Sequence, residues 1–167
     1  MNICFDTETT GLDSRNDEVL QLSIIDADSG KTLFNEYMKP THTNSWEQAQ
    51  AVNGIAPEMV EDCLTIEEYK STIQRIFDKA DTVLGYNVNF DVGFLRTAGI
   101  KIENRLVDVM TEFAEIYGEW NDARDDWKWQ KLTTAAAYYG LSFEGTAHDS
   151  LADAKMTAAV YKEMHKI

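Results

Sequence analysis

The chain has two cysteines, two prolines, three histidines and no long apolar run among its 167 residues. Without a stretch of about 18–20 apolar residues there is no candidate membrane span. Cys4 and Cys63 stand far apart, one in an apolar segment and one in a polar one, and give neither a disulfide framework nor zinc-ligand spacing. The N-terminus lacks a basic region followed by a cleavage site, so it does not read as a signal peptide. These shortages lead us to expect a protein of the reducing cytoplasm with no membrane partner. Basic residues are scarce as well. Fifteen Lys and Arg face twenty-nine Asp and Glu, a formal net charge of -14. Proteins that wrap polyanions carry a basic surface. This composition excludes extended electrostatic binding and leaves only local contact where cations cancel charge.

What is present is an ordinary globular composition, 44% hydrophobic and 26% charged, expected to form one domain over residues 1–167. Residues 2–8 alternate as a strand. Val19, Leu20, Leu22, Ile24 and Ile25 mark a second, which the turn Asp26 to Gly30 joins to a third from Thr32 to Met38. Between Asn44 and Val60 the pattern gives a short helix, an Asn-Gly turn and a helix start at Pro57. Thr65 and Glu68 form a capping box ahead of a helix that carries Tyr69, Ile73, Ile76 and Phe77 on one face. A strand from Thr82 to Tyr86, a helix from Val88 to Ala98 and a strand from Leu106 to Val109 come next. The last strand runs into a helix with Phe113, Ala114 and Tyr117. Gly118 to Asp126 reads as an irregular loop, Trp127 to Tyr139 as a helix, and Leu151 to Met164 as the last helix. Three strands followed by alternating helices and strands predict an α/β fold. Its mixed sheet is an antiparallel meander continued by parallel strands, with helices on the faces.

The chemistry starts in the first strand. Asp6 and Glu8 are two positions apart, which puts both side chains on one face, about 6.6–6.8 Å apart along it. Buried carboxylates are costly unless paired or metal-bound. Thr9, Thr10 and Gly11 then break the strand and let backbone approach whatever the acids hold. The competing reading is a polar strand end in water.

Further acids lie downstream. Asp91 comes after Asn87 and Phe90 at the end of the fourth strand, where open sheets bind ligands. An acid in the first turn of a helix is also favourable by about 0.3–1 kcal/mol with no ligand, and Asn87 or Asn89 can cap that helix. Asp153 stands at capping-box spacing from Ser150. Capping explains Asp153 but not His148, whose position before a helix suits a general base beside a metal. His42 and His165 read as solvated.

In this joint order, Asp6-x-Glu8, Asn87-x-x-Phe90-Asp91 and His148-x-x-x-x-Asp153 resemble the DEDDh (DnaQ-like) 3′–5′ exonucleases of the ribonuclease H-like superfamily. The run Asp6 to Leu12 is similar to that family's first motif, most of all in its proofreading type. Val52 to Ile55 with Glu58 to Val60, Lys131-Leu132, and Ala147-His148 with Ala152 to Ala154 also fit. Asn53 stands where many members carry His.

The resemblance implies a ribonuclease H-like fold with a five-stranded mixed sheet. It also implies hydrolysis of the 3′-terminal phosphodiester of DNA at single-stranded or frayed ends, releasing nucleoside 5′-monophosphates. Two Mg²⁺ or Mn²⁺ ions are implied, with Asp6 bridging both, Glu8 and Asp153 completing one site, and Asp91 helping to hold the other. His148 would be the general base. Thr9, Gly11, Leu12, Asn53 and Asn87 would contact the substrate, Leu12 as a wedge against the last base. Leu12 also reads as an ordinary core residue. A polymerase or repair partner and a homodimer are compatible with the sequence. So are an RNA-directed exonuclease of the oligoribonuclease or RNA-trimming type and a polymerase-associated proofreading subunit. A phosphatase that opens with Asp-x-Asp-x-Thr is disfavoured because the second acid is Glu8.

Overall fold

The structure is a computed structural model and describes residues 1–143, 145 and 148–166. Strands β1 (Asn2–Thr9), β2 (Val19–Asp26) and β3 (Thr32–Tyr37) come first. Helices α1 (Glu47–Asn53), α2 (Pro57–Val60) and α3 (Ile66–Phe77) are next. Then come β4 (Thr82–Gly85), α4 (Val88–Thr97), β5 (Arg105–Asp108) and α5 (Val109–Tyr117). Two short strands, β6 (Trp120–Asn121) and β7 (Asp126–Trp127), precede α6 (Leu132–Tyr138) and α7 (Ser150–His165). The main sheet has the order β3-β2-β1-β4-β5. β2 is antiparallel to β1 and β3, while β4 is parallel to β1 and β5. This is the expected meander continued by parallel strands. No helix of the described residues is long and apolar enough to cross a membrane.

Alternation along β1 divides the core. Ile3 and Phe5 point to one face, where Ile73 and Phe77 of α3 and Val88, Val92 and Leu95 of α4 cover them. Cys4 points to the other, with Phe113 of α5, Ala135 and Ala136 of α6, and Ala154, Ala158 and Val160 of α7. The alanines of α7 let that helix lie close across β1 and β2. Asp6 and Glu8 continue the Cys4 face, so they point to the side where α7 starts. A third cluster, Leu20, Trp46, Ile55 and Val60, packs α1 and α2 against β2.

β1 is longer than its parallel neighbour. Only Asn2 to Cys4 pair with β4, whereas Ile3 to Thr9 pair with β2. The end of β1 therefore projects past β4 on that edge, and α4 begins there. This is the carboxyl end of the parallel strands, where open sheets leave a crevice.

Several expectations need correction. The segment expected to start a helix at Trp127 continues as strand and connecting chain, and α6 begins only at Leu132. Gly118 to Asp126 is not an irregular loop. Trp120 and Trp127 face each other across a hairpin, edge to face with ring centroids 5.1 Å apart. Lys128 N donates to Glu119 O at 2.7 Å and extends the ladder. Cross-strand aromatic pairing overrides local helix propensity here. Helix α7 is capped by Asp149, whose carboxylate accepts from Ala152 N at 3.1 Å, rather than by Ser150. Asn87 occupies the α4 N-cap with φ 65°, but its side chain makes no capping bond. His42 and His165 are not merely solvated, since their rings lie 3.3 Å from Glu18 and 3.6 Å from Glu112. The box at Thr65 and Glu68 forms as expected, with Glu68 accepting from Thr65 N at 2.8 Å.

Phe77 tests how the first core supports β1. It is 1% exposed and packs edge to face on Phe5 at 5.4 Å. Phe77→Ala is expected to cost about 3–5 kcal/mol in urea unfolding, as large core truncations do. A cost under about 1 kcal/mol would show that α3 does not brace the strand.

Candidate active site

The site begins with the unpaired edge of β1. Thr7 points away from Asp6 and Glu8, toward α4. Its backbone N donates to Asp91 Oδ1 at 3.1 Å, and its hydroxyl donates to the same oxygen at 2.5 Å. The carboxylate of α4 thus takes the amide that a longer β4 would have used. Asp91 is 3% exposed, so its position is fixed by burial and by two donors. The helix-terminus reading of Asp91 therefore describes only part of what it does.

The start of α7 supplies the other half. β2 carries Gln21 and Ser23 on the same face as Glu8 and Asp6, directly across the antiparallel pair. Both are buried. Ser23 Oγ lies 2.6 Å from Ser150 Oγ and donates to Asn35 Oδ1 at 2.8 Å. Gln21 accepts from Ser150 N at 3.2 Å and donates to Asp149 Oδ2 at 3.1 Å. These bonds fix the first turn of α7 over β1 and β2. One turn on, Asp153 accepts from His148 N at 3.1 Å. His148 has φ 68°, a conformation that non-glycine residues adopt at a cost. Donor atoms of Glu8, His148 and Asp153 all lie within 4.8 Å of one another.

The carboxylates titrate as a crowded group. Burial pushes Asp6 well above the usual carboxylate range, and the charges of Asp91, Glu8 and Asp153 add to the shift. Burial, then Asp153 and Asp91, raise Glu8 to about 8, against the opposing effect of the Asn53 amide. Burial raises Asp91 to about 7 although its bonds from Thr7 oppose the shift. Burial also raises Asp153, against the backbone N–H and charge of His148. Such a cluster is disfavoured until positive charge enters it. The set of four carboxylates and one imidazole fits a hard divalent cation, and its oxygens are the donors such ions prefer.

Two clefts flank this group. The first, about 730 Å³, is lined by Thr7 to Asp13, Val52, Asn53 and Phe90 among others. Leu12 is 86% exposed at its rim and Val52 60%, so Leu12 is no core residue. Gly11 is needed at the turn because a Cβ there would come within 2.4 Å of the Asp17 carboxylate. That carboxylate accepts from Asp13 N at 2.9 Å. Asn53 reaches the cleft but its amide is already engaged, donating to Thr9 O at 3.2 Å and accepting from Ile55 N at 3.0 Å. It braces the turn. The second cleft, about 490 Å³, is lined by His148, Asp153, Tyr86, Trp129 and Lys131 among others. Asn87 is exposed and lines neither cleft. Ala147, part of the expected motif, lies outside the described residues, as do residues 144 and 146 of the loop before His148. Sequence reasoning did not single out Thr7, Gln21, Ser23 or Asp149.

A mixed sheet with a carboxylate cluster at its open end has counterparts among known proteins. The exonuclease family model RNase_T matches residues 3–161. An uncharacterised exonuclease of Escherichia phage 186 is 34% identical over 98% of this chain and 88% of its own. The DNA polymerase III PolC-type of Caldanaerobacter subterraneus subsp. tengcongensis is 29% identical over 97% of this chain, which spans 11% of that polymerase. Among solved structures, exonuclease X in complex with 5′ overhanging duplex DNA superimposes with a TM-score of 0.78 at 19% identity, covering 99% of this chain and 92% of that one. The zinc-bound E. coli exonuclease I–ssDNA complex gives 0.74 at 22% identity, covering 96% of this chain and 39% of that one. The chain belongs to the DnaQ-like 3′–5′ exonuclease family of the ribonuclease H-like superfamily.

The raised carboxyls make a pH prediction. In the folded state Glu8 and Asp91 keep protons up to about 8 and about 7, against ordinary values of 4.5 and 3.8. Between those limits the folded protein binds more protons than the unfolded chain, so this contribution to stability falls as pH rises. In chelator, Tm should fall between about pH 5 and about pH 8. Mn²⁺ should raise Tm more at the higher pH, where it need not displace protons. The check is differential scanning fluorimetry at both values, and an equal Mn²⁺ increment at the two would contradict the shifts.

Proposed function

We propose that this exonuclease is a 3′–5′ exodeoxyribonuclease, with residues 1–167 acting as one catalytic domain on single-stranded or frayed 3′ ends. The observation that carries the reading is the convergence of Asp6, Glu8, Asp91, Asp153 and His148 between two clefts at the open end of the parallel strands. The DNA bound by exonuclease X and exonuclease I favours DNA over RNA. Likeness to PolC-type polymerases favours a second reading, a proofreading role beside a polymerase.

Asp6, Glu8, Asp91 and Asp153 would hold two divalent cations, Mg²⁺ or Mn²⁺. When bound, such ions stabilise negative charge on the entering and leaving oxygens of a phosphodiester. Thr9 to Leu12 and Asn53 shape the cleft that receives the 3′-terminal nucleoside, and exposed Leu12 separates its base from the neighbouring base of the strand. The ring of His148 takes the proton from the attacking water as the new O–P bond forms. The bond to the 3′-oxygen of the preceding nucleotide breaks, and a nucleoside 5′-monophosphate leaves. Asn53 lines the first cleft and holds the turn through its two internal bonds.

Hydrolysis of end-labelled single-stranded DNA should stop in excess chelator and return with Mg²⁺ or Mn²⁺. His148→Gln should lower the single-turnover rate by roughly 10²–10⁴-fold with binding retained, and a loss under about threefold would remove it from the mechanism. Asp6→Ala should be more damaging than Asp91→Ala.

Binding should also depend only moderately on salt. Among the described residues that line the two clefts, Lys131 is the only Lys or Arg. Each phosphate neutralised on a single strand contributes a slope of about -0.7 in log K against log salt. A footprint of a few phosphates is expected, and a slope corresponding to about ten would be incompatible with it.

A further inference from the structure

The hairpin between α5 and α6 has no part in the chemistry described so far, yet the residues just after it form one wall of the second cleft. Trp129, Gln130 and Lys131 line that cleft together with His148 and Asp153. Trp129 is 47% exposed, although an indole is costly to leave in water. The Arg124 guanidinium sits over one face of its ring, 4.1 Å from the centroid. Lys131 is exposed and makes no ion pair among the described residues, in a chain of net charge -14.

The wall is held in place. Tyr86, just past the end of β4, donates through its hydroxyl to Gln130 O at 2.8 Å. Gln130 Nε2 donates to the Glu119 carboxylate at 3.2 Å, which also pairs with Lys128 at 2.6 Å. The Trp120–Trp127 pair closes the hairpin above this stem. Trp129 is thus presented from a braced stem and not from a loose loop.

We propose that the second cleft is a subsite for the nucleotides on the 5′ side of the scissile phosphate. One base would stack on Trp129, and Lys131 would meet a backbone phosphate. This assignment rests on the exonuclease reading above. If the first cleft takes the 3′-terminal nucleoside and the acids take its phosphate, the strand must continue past His148 and Asp153, which is where this cleft lies. The ligand is a single-stranded DNA segment, recognised without regard to sequence. Every base has a face to stack, and an indole backed by a guanidinium accepts any of them.

The test compares two substrates. The p-nitrophenyl ester of thymidine 5′-monophosphate carries the terminal nucleotide and a leaving group but nothing on the 5′ side. A single-stranded deoxyoligonucleotide carries the whole strand. Trp129→Ala should raise KM for the oligonucleotide about tenfold, within the range found for loss of one stacked base. Ester hydrolysis should stay within about twofold of wild type, and Trp129→Phe should restore most of the affinity for the oligonucleotide. Lys131→Ala should raise the same KM and make the salt dependence shallower by about 0.7 in slope. Unchanged oligonucleotide KM in Trp129→Ala overturns the subsite, and so does a parallel loss on the ester, which would mark a structural role for the indole. A wild-type enzyme that hydrolyses neither substrate would instead overturn the exonuclease reading on which the subsite rests.

Discussion

Crowding of negative charge at the end of β1 is the constraint on which the rest of the site depends. Asp6 and Glu8 share one face of the central strand, Asp91 closes on its edge, and Asp153 comes down from α7. Burial holds all four above their ordinary titration ranges, and repulsion within the group adds to the shift of Asp6 and Glu8. An apo protein relieves this crowding by keeping protons, and a divalent cation relieves it by displacing them. A cation held there would therefore couple metal affinity to folding stability through the same side chains. The coupling is strongest where the carboxyls would otherwise begin to ionise.

Such a cluster persists only if the backbone around it is over-determined. Three features of this fold provide that. The unequal lengths of β1 and β4 leave Thr7 N free, and Asp91 takes it. Polar Gln21 and Ser23 stand at buried positions of β2, where an apolar residue would pack without cost, and each is satisfied through the start of α7. Gly11 lets the Asp17 carboxylate approach the turn after β1 and hold it. The first two devices use hydrogen bonds across long sequence separations, so each positions one part of the carboxylate cluster relative to another.

That long-range character decides what could be read from the sequence. The strands, the Thr65 cap and the sheet order stem from periodicity and turn chemistry, which are local, and the structure reproduces them. The acids and His148 stood out through their joint order along the chain, and the structure brings Glu8, His148 and Asp153 together. Gln21, Ser23 and Thr7 did not stand out, because a polar residue alternating with apolar ones on a strand reads as a solvent face. Asp149 was hidden by Ser150, an equally good cap one residue later, and only the docking of Ser150 against Ser23 decides between them. The hairpin was missed because two tryptophans seven residues apart carry no helix or strand signal until they meet. Leu12 stood open between core and surface, and its exposure removes the core reading.

The acidity of the chain fits this arrangement once long-range attraction is set aside. With a net charge of -14, the protein as a whole repels a polyanionic strand, and screening at physiological salt confines that repulsion to about 8 Å. Grip must come from contacts made within that distance. Apolar Leu12 and Val52 at one cleft and Trp129 at the other are short-range and insensitive to salt, unlike phosphate contacts. Cations held by the carboxylates would reverse the sign of the local field only at the scissile phosphate. On the proposed reading, grip is concentrated within a few nucleotides of the 3′ end, where the carboxylates and the two clefts lie.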